Sequence, residues 1–210
     1  SNSDICQVFF GNYPLYCPNT SKWKLITTVS YYKTDISVSN TSKNLIDEIN
    51  FLREKRNAII LAHYYQEPAI QDVADFIGDS LELSRKASET NADVIVFCGV
   101  HFMAETAKIL CPKKTVLLPD FDAGCTLADD CQPDDFQKFL DKHPDHFAIS
   151  YINCSAAVKA KSDLICTSSN AVDLVNKLPK DLPILFSPDR NLGRWVERQS
   201  GRKLTLWPGR

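Results

Sequence analysis

The same order of elements occurs twice along this chain, at a nearly constant distance in sequence. Short apolar runs, each followed by a polar loop and a helical pattern, fill residues 43–118 and again residues 147–207. Corresponding points lie 88 or 89 residues apart: positions 63, 80, 98 and 118 match positions 151, 168, 187 and 207. Few residues are identical between the halves, so the repeat is inferred from the order and spacing of its elements.

Each half is predicted to be a small β-α-β-α-β-α-β unit with a parallel sheet, which makes the fold class α/β. The predicted strands cover residues 58–62, 93–98 and 115–118 in the first half, and 147–151, 164–166, 184–187 and 203–207 in the second. The predicted helices cover 43–55, Pro68 to about Phe76, 81–89 and 101–110, then a helix from Ser155, 170–178 and 191–199. Asp79 or Ser80 is expected to cap the helix over 81–89.

Three segments are expected along the chain. Residues 1–42 are rich in Ser, Asn, Thr and Tyr and keep no helical or strand period, so they are predicted to be a poorly ordered extension. Residues 43–125 and 126–210 are predicted to be the first and second α/β domains. The repeat would place a counterpart of Cys125 just past Arg210, where the chain stops on a loop after a strand. We therefore expect a truncated chain.

Composition excludes several classes of protein. The chain has 210 residues, 44% of them hydrophobic, and a net charge of -2, all ordinary for a globular protein. Without a basic excess or a long apolar run, neither nucleic acid nor membrane is expected as a partner. The first residues show no signal peptide pattern. The eight cysteines include no C-x-x-C pair, which favours reduced thiols in a cytosol-like compartment over a disulfide framework.

Polar side chains follow the predicted strands at matching places in the two halves. They are His63 and Tyr65, Ser80, Tyr151 and Asn153, and Ser168. Parallel sheets bind ligands beyond the carboxyl ends of their strands, and we expect the two sets of strand ends to face one cleft. Imidazole and phenol groups can move protons, and a hydroxyl at a helix start can bind an anion. The plainer alternatives are aromatic packing at the sheet rim, helix capping by serine and a loop hydrogen bond from asparagine.

Cys125 is the cysteine with the most distinctive surroundings. It follows Gly124, and four acidic residues within five positions of it disfavour a bare thiolate unless a metal is bound. A zinc site formed by Cys125 and Cys131 has the wrong spacing. Cys98 and Cys166 end apolar strands and are expected to be buried, inert thiols. No glycine-rich nucleotide motif is present.

Seven longer strings occur in a recognisable order. They are residues 61–66 (LAHYYQ), 78–84 (GDSLELS), 96–108 (VFCGVHFMAETAK), 123–129 (AGCTLAD), 150–153 (SYIN), 166–171 (CTSSNA) and 188–194 (PDRNLGR). With them the chain resembles the quinolinate synthase family, the A protein of NAD biosynthesis, from about residue 45 to 210.

The resemblance implies an enzyme of three similar α/β domains around a central cleft, two of them present here. It implies condensation of iminoaspartate with dihydroxyacetone phosphate to quinolinate, with L-aspartate oxidase or aspartate dehydrogenase as the supplier of iminoaspartate. It also implies a [4Fe–4S] cluster held by one cysteine from each domain, whose open iron acts as a Lewis acid. Two of those cysteines are expected beyond Arg210. The implied compartment is the cytoplasm, or the plastid stroma in a photosynthetic eukaryote.

The resemblance also assigns roles to individual residues. Cys125 would be the first cluster ligand. His63 and Ser80 would bind the iminoaspartate carboxylates, in a pocket completed by Tyr151, Asn153 and Ser168. Tyr65 and Tyr151 would transfer protons. With one cluster ligand alone, the chain is expected to be an inactive part of an active enzyme. The alternative is a shortened paralogue that binds a small dicarboxylate or phosphorylated ligand without catalysis.

Overall fold

The computed structural model of the chain describes residues 7–10, 13–16 and 42–209. Two short strands, β1 (Gln7–Phe10) and β2 (Tyr13–Tyr16), form an antiparallel hairpin that was not predicted. Apart from this hairpin and Ser42, the predicted extension over residues 1–42 lies outside the described residues. The remaining described chain divides into two compact units, residues 42–123 and residues 124–209. None of the described helices has an apolar stretch long enough to cross a bilayer.

The first unit is a parallel four-stranded sheet with helices between its strands. Its elements are α1 (Ser42–Lys55), β3 (Ala58–His63), α2 (Pro68–Gln71), β4 (Phe76–Gly78), α3 (Ser80–Glu89), β5 (Val94–Cys98), α4 (His101–Leu110) and β6 (Thr115–Leu117). The strand order is β4-β3-β5-β6, and every neighbouring pair is parallel. Leu61, Ile95 and Phe97 are fully buried, because the strands alternate apolar side chains onto helix-covered faces.

The second unit repeats this arrangement. Its elements are α5 (Thr126–Asp129), α6 (Pro133–Asp141), β7 (Phe147–Tyr151), α7 (Ala156–Lys159), β8 (Leu164–Cys166), α8 (Ala171–Lys177), β9 (Ile184–Ser187), α9 (Arg190–Ser200) and β10 (Thr205–Leu206). The strand order is β8-β7-β9-β10, again all parallel. In both units the second strand lies outside the first, and the third and fourth follow on the other side. The predicted α/β class with repeated parallel-sheet units is confirmed.

One predicted helix is wrong in its extent. The helix from Pro68 ends at Gln71, and Phe76–Gly78 is strand β4 rather than the end of that helix. Asp75 turns the chain back onto β3, because its backbone N–H donates to Ile60 O at 2.9 Å and its Oδ2 accepts from Ile60 N at 2.8 Å. Three residues are too few to show a strand period in the sequence.

The two units correspond more closely in their hydrogen bonds than in their residues. Asp163, 88 residues after Asp75, accepts from Ala148 N at 2.8 Å, as Asp75 does from Ile60 N. Two further hydrogen bonds from a side chain to a backbone carbonyl recur at the same spacing. The bond from Gln71 to Gln66 O matches that from Lys159 to Cys154 O, and the bond from Lys114 to Thr90 O matches that from Arg202 to Leu178 O. The loops of both units are therefore closed at the same points, by aspartate in both units at one point and by chemically different side chains at the other two.

Candidate functional site

His63 lies at the carboxyl end of β3, opposite Gly78 of β4. The residue is 4% exposed, and its Nδ1 accepts the backbone N–H of Tyr65 at 3.4 Å. Burial lowers the pKa of His63, an effect partly offset by the negative charge of Asp79. A neutral imidazole that accepts at Nδ1 carries its proton on Nε2. His63 can therefore donate a hydrogen bond from Nε2 without carrying a charge.

Two tyrosines follow His63 and pack on its ring. The ring centroids of Tyr64 and Tyr65 lie 4.4 and 3.9 Å from that of His63. The Tyr65 hydroxyl lies 3.9 Å from the sulfur of Met103, and the side chain is about half exposed. The structure thus brings Tyr65 and His63 together. Their rings pack on each other, as the alternative of aromatic packing at the sheet rim predicted. Because the Tyr65 phenol also reaches solvent, packing does not prevent proton transfer.

Ser80 is the first residue of α3 rather than its cap. Asp79 caps the helix, since its Oδ1 accepts from Leu81 N and Glu82 N, both at 2.8 Å, while Glu82 Oε2 accepts from Asp79 N at 2.9 Å. This capping box confirms Asp79 as the cap and makes the capping role considered for Ser80 wrong. The half-buried Ser80 hydroxyl has no hydrogen bond to any other described residue.

Tyr151 ends β7, opposite Cys166 of β8. Burial raises the pKa of its phenol, the neighbouring Asp189, Cys166 and Cys125 side chains act in the same direction, and a hydrogen bond with the Ser168 side chain opposes them. Within the second unit, therefore, Tyr151 contacts Ser168 and lies within electrostatic range of Cys125. The phenol keeps its proton well above neutral pH, which suits a proton donor.

Asn153 follows Tyr151 by two residues and is half-buried. The neighbouring Ile152 N–H donates to Cys166 O at 2.8 Å, which closes the loop through the backbone. The Asn153 amide makes no hydrogen bond to another described side chain or backbone group. The alternative in which Asn153 satisfies the loop backbone is thus wrong, and its amide is available to a ligand.

Cys125 is half-buried and immediately precedes α5. Within residues 45–209 no three His, Cys, Asp or Glu side chains are grouped so that they could hold a metal ion. These residues alone do not fit a cluster that needs three protein thiolates, and Cys125 can supply one of them. None of the six described cysteines is in a disulfide.

Two buried thiols of the second unit, Cys131 and Cys166, are poor ligands. Burial raises the pKa of Cys131 to about 12 and holds the pKa of Cys166 far above its ordinary value. Both thiols stay protonated, which is the inert state predicted for Cys166. Cys98, also predicted to be buried, is only half-buried, although burial still raises its pKa.

A buried line of three hydroxyls was not predicted. Ser150 Oγ lies 2.7 Å from both Ser162 Oγ and Ser187 Oγ, and Ser162 Oγ donates to Val158 O at 2.9 Å. Each hydroxyl has one hydrogen, so Ser187 donates to Ser150, and Ser150 donates to Ser162. The corresponding residues of the first unit are Cys98, Ala62 and Ala74. Only this comparison of the halves could have identified the serines as distinctive.

Comparison with known proteins gives a consistent result. A family model described as "Quinolinate synthetase A protein" matches residues 47–210. Similar curated proteins named quinolinate synthase include those of Prochlorococcus marinus (strain MIT 9313), 72% identical over 185 residues, Cyanophora paradoxa, 66% over 170, and Trichormus variabilis (strain ATCC 29413 / PCC 7937), 60% over 185. These matches cover 88%, 81% and 88% of this chain, and 56%, 52% and 57% of the relatives. The chain thus spans just over half the length of the relatives it matches.

Proposed function

The chain belongs to the quinolinate synthetase A protein family, and from that membership we propose that it is part of an enzyme that forms quinolinate. The proposed reaction condenses iminoaspartate with dihydroxyacetone phosphate and releases water and phosphate. The observation that supports it best is the grouping of Tyr151, Ser168 and Cys125 in the second unit. A protonated phenol there contacts a hydroxyl at the end of β7 and lies within electrostatic range of the thiol that is the proposed ligand.

In the first unit, His63 and Ser80 are the proposed carboxylate-binding residues. A neutral imidazole with its proton on Nε2 donates to a carboxylate without needing a charge of its own. The Ser80 hydroxyl, which has no partner among residues 45–209, adds a second donor at the start of α3. Tyr65, half exposed beside His63, is the proposed proton-transfer group of this unit.

In the second unit, Tyr151 is the proposed proton donor, with Asn153 and Ser168 as binding residues. Loss of water from a carbon atom needs a proton delivered to the departing hydroxyl group. The raised pKa of Tyr151 keeps that proton in place until the substrate takes it. The Asn153 amide can both donate to and accept from a carboxylate or carbonyl of the substrate.

Cys125 is the proposed contribution of this chain to a [4Fe–4S] cluster. The other ligands must come from outside the described residues, since these hold no further group suited to a metal. When bound, such a cluster with an open iron supplies a Lewis acid. The resemblance further implies L-aspartate oxidase or aspartate dehydrogenase as the iminoaspartate supplier and a cytoplasmic location, which remain predictions. No comparison supports the shortened binding module.

The test uses the full-length protein, purified without oxygen and supplied with iminoaspartate and dihydroxyacetone phosphate. We expect quinolinate to form, and Tyr151→Phe to lower kcat by about 100-fold or more, as loss of a general acid does. Tyr64→Phe is the matched control, because no role is proposed for the exposed Tyr64 hydroxyl and phenylalanine keeps the ring that packs on His63. Absence of quinolinate, or full activity of Tyr151→Phe, would overturn the proposal.

Iron content tests the cluster ligand separately. The full-length protein is expected to hold about four irons. Cys125→Ala should lose them, whereas Cys131→Ala should keep them because the Cys131 thiol is buried and protonated. Equal iron in both variants would show that Cys125 is not a ligand.

A further inference from the structure

The Arg190 side chain has no acceptor in the part of the chain that the structure describes. Its Nε is buried without a hydrogen-bond partner, and no ion pair within residues 45–209 involves its guanidinium. The guanidinium stays charged and offers five N–H donors in a fixed plane. Arg190 as a whole is half-buried, and a buried N–H of a charged group without an acceptor is unfavourable, so the position favours an anion from elsewhere.

The nearest carboxylate in sequence is already used. Asp189 Oδ1 accepts from Asn191 N at 2.8 Å and Leu192 N at 2.9 Å, and so caps α9. Asp189 therefore serves the helix start and forms no ion pair with Arg190.

The first unit has a carboxylate near the corresponding residue. His101, 89 residues before Arg190, is likewise the first residue of the helix that follows the third strand. Its Nδ1 lies 3.8 Å from Glu105 Oε1, one helical turn later. The residue at the corresponding place in the second unit is Arg194, so the carboxylate there is replaced by another positive charge. Two arginines one turn apart, at the positive end of a helix, favour the presence of an anion.

Arg190 also lies at the edge of the sheet where ligands bind. It follows β9, which is paired with β7 in the centre of the sheet. The chain leaves β7 and β9 toward opposite sides of the sheet, and ligands of such folds bind beyond the carboxyl ends at this point. Tyr151 ends β7 and is influenced by the charge of Asp189, the residue before Arg190.

We propose that Arg190 binds an oxyanion of a substrate, either a carboxylate or a phosphate, beyond the end of β9. The identity of that substrate rests on the proposed function. Of its two reactants, iminoaspartate carries carboxylates and dihydroxyacetone phosphate carries a phosphate. A guanidinium matches both groups, since it forms two parallel N–H to O bonds with either.

The test measures KM for each reactant with the full-length enzyme and its Arg190→Gln and Arg190→Lys variants. Arg190→Gln should raise KM for one reactant by about 10- to 100-fold, the effect of losing a charged hydrogen-bond pair. Arg190→Lys should lose less, because it keeps the charge but not the planar fork. The reactant whose KM rises identifies the oxyanion. Arg198→Gln, an exposed change in the same helix, is the control and should leave both KM values unchanged.

Binding of inorganic phosphate and of succinate to the same proteins gives a readout without turnover. We expect Arg190→Gln to weaken one of the two by at least about tenfold relative to the wild type. If the wild type makes no quinolinate but this loss appears, the proposed function fails and the oxyanion site stands. Unchanged KM values and unchanged binding would overturn the site. So would a lower melting temperature as the only effect, because it would show that Arg190 pairs with another part of the protein.

Discussion

Arg202 is expected to stabilise the second unit more than any exposed arginine of α9. Its guanidinium donates four hydrogen bonds to the backbone around the end of α8. The acceptors are Val175 O at 2.8 Å, Leu178 O at 3.1 Å, Pro179 O at 2.8 Å and Leu182 O at 2.7 Å. Carbonyls at a helix end lack partners within the helix, and Arg202 binds these carbonyls at and beyond the end of α8, two of which also accept a backbone N–H.

The size of the effect follows from the exposure of these bonds. The bonds to Val175, Leu178 and Leu182 are partly buried, and the bond to Pro179 is exposed. A hydrogen bond contributes about 1 kcal/mol net, and an exposed one is largely replaced by water. Arg202→Met should therefore lower the free energy of unfolding by about 3 kcal/mol, roughly a 150-fold change in the ratio of folded to unfolded protein.

Urea unfolding of the full-length protein, followed by tryptophan fluorescence, is a suitable assay. Trp207 is buried in the core of the second unit and reports on its unfolding. Arg202→Lys should lose about half as much as Arg202→Met, because a lysine at the matching place, Lys114, reaches the carbonyl of Thr90. Arg198→Met, the exposed control, should change stability by about 0.5 kcal/mol or less. A loss below that value for Arg202→Met, or equal losses for Met and Lys, would refute the reasoning.

Two further predictions concern the core of the second unit. Ser150→Ala alone leaves the Ser187 hydroxyl without its acceptor and should lower the free energy of unfolding by about 1–3 kcal/mol. Adding Ser187→Cys reproduces the first unit's Ala62 and Cys98 and should recover part of this loss. A double variant less stable than the single one would contradict the prediction. Cys131 has a pKa of about 12 in the folded protein, against an ordinary value of 9.0, so the unfolded chain loses this proton at lower pH. The free energy of unfolding should therefore fall as pH rises from about 9 to 12, by about 1.4 kcal/mol per pH unit. Cys131→Ala should make the decline measured between pH 9 and 11 shallower, and an unchanged slope would argue against the buried thiol as its cause.

The regular elements were predictable where the sequence marks their ends. Strand β9 was predicted at residues 184–187, since Pro183 and Pro188 enclose an apolar run. Helix α4 was predicted at residues 101–110 for similar reasons. Strand β4 was missed because only its pairing with β3 makes three residues a strand. Strand β10 is shorter than the predicted 203–207, because hydrogen bonds to β9 and not hydrophobicity set its length.

The places of the candidate residues in the fold were predictable, but their contacts were not. Polar residues after parallel strands, such as His63 and Tyr151, are found at the sheet edge because the topology requires it. The hydrogen bond between Tyr151 and Ser168 depends on how two loops pack, which spacing does not encode. Arg190 was not among the predicted site residues, because a charged residue at a helix start is ordinary. Its missing partner is visible in the structure as a buried Nε without an acceptor, and Arg194 stands where the first unit has Glu105.

The matched bonds of Asp75 and Asp163 have a consequence for how such a protein can change. Each aspartate lies just before the second strand of its own unit and accepts a backbone N–H of the first strand. This bond lies several residues before the carboxyl end of the first strand. Exchanging an imidazole for a phenol at a strand end, as between His63 and Tyr151, leaves that bond intact. Two units closed by the same bonds can therefore carry different reactive groups at their strand ends on the same framework.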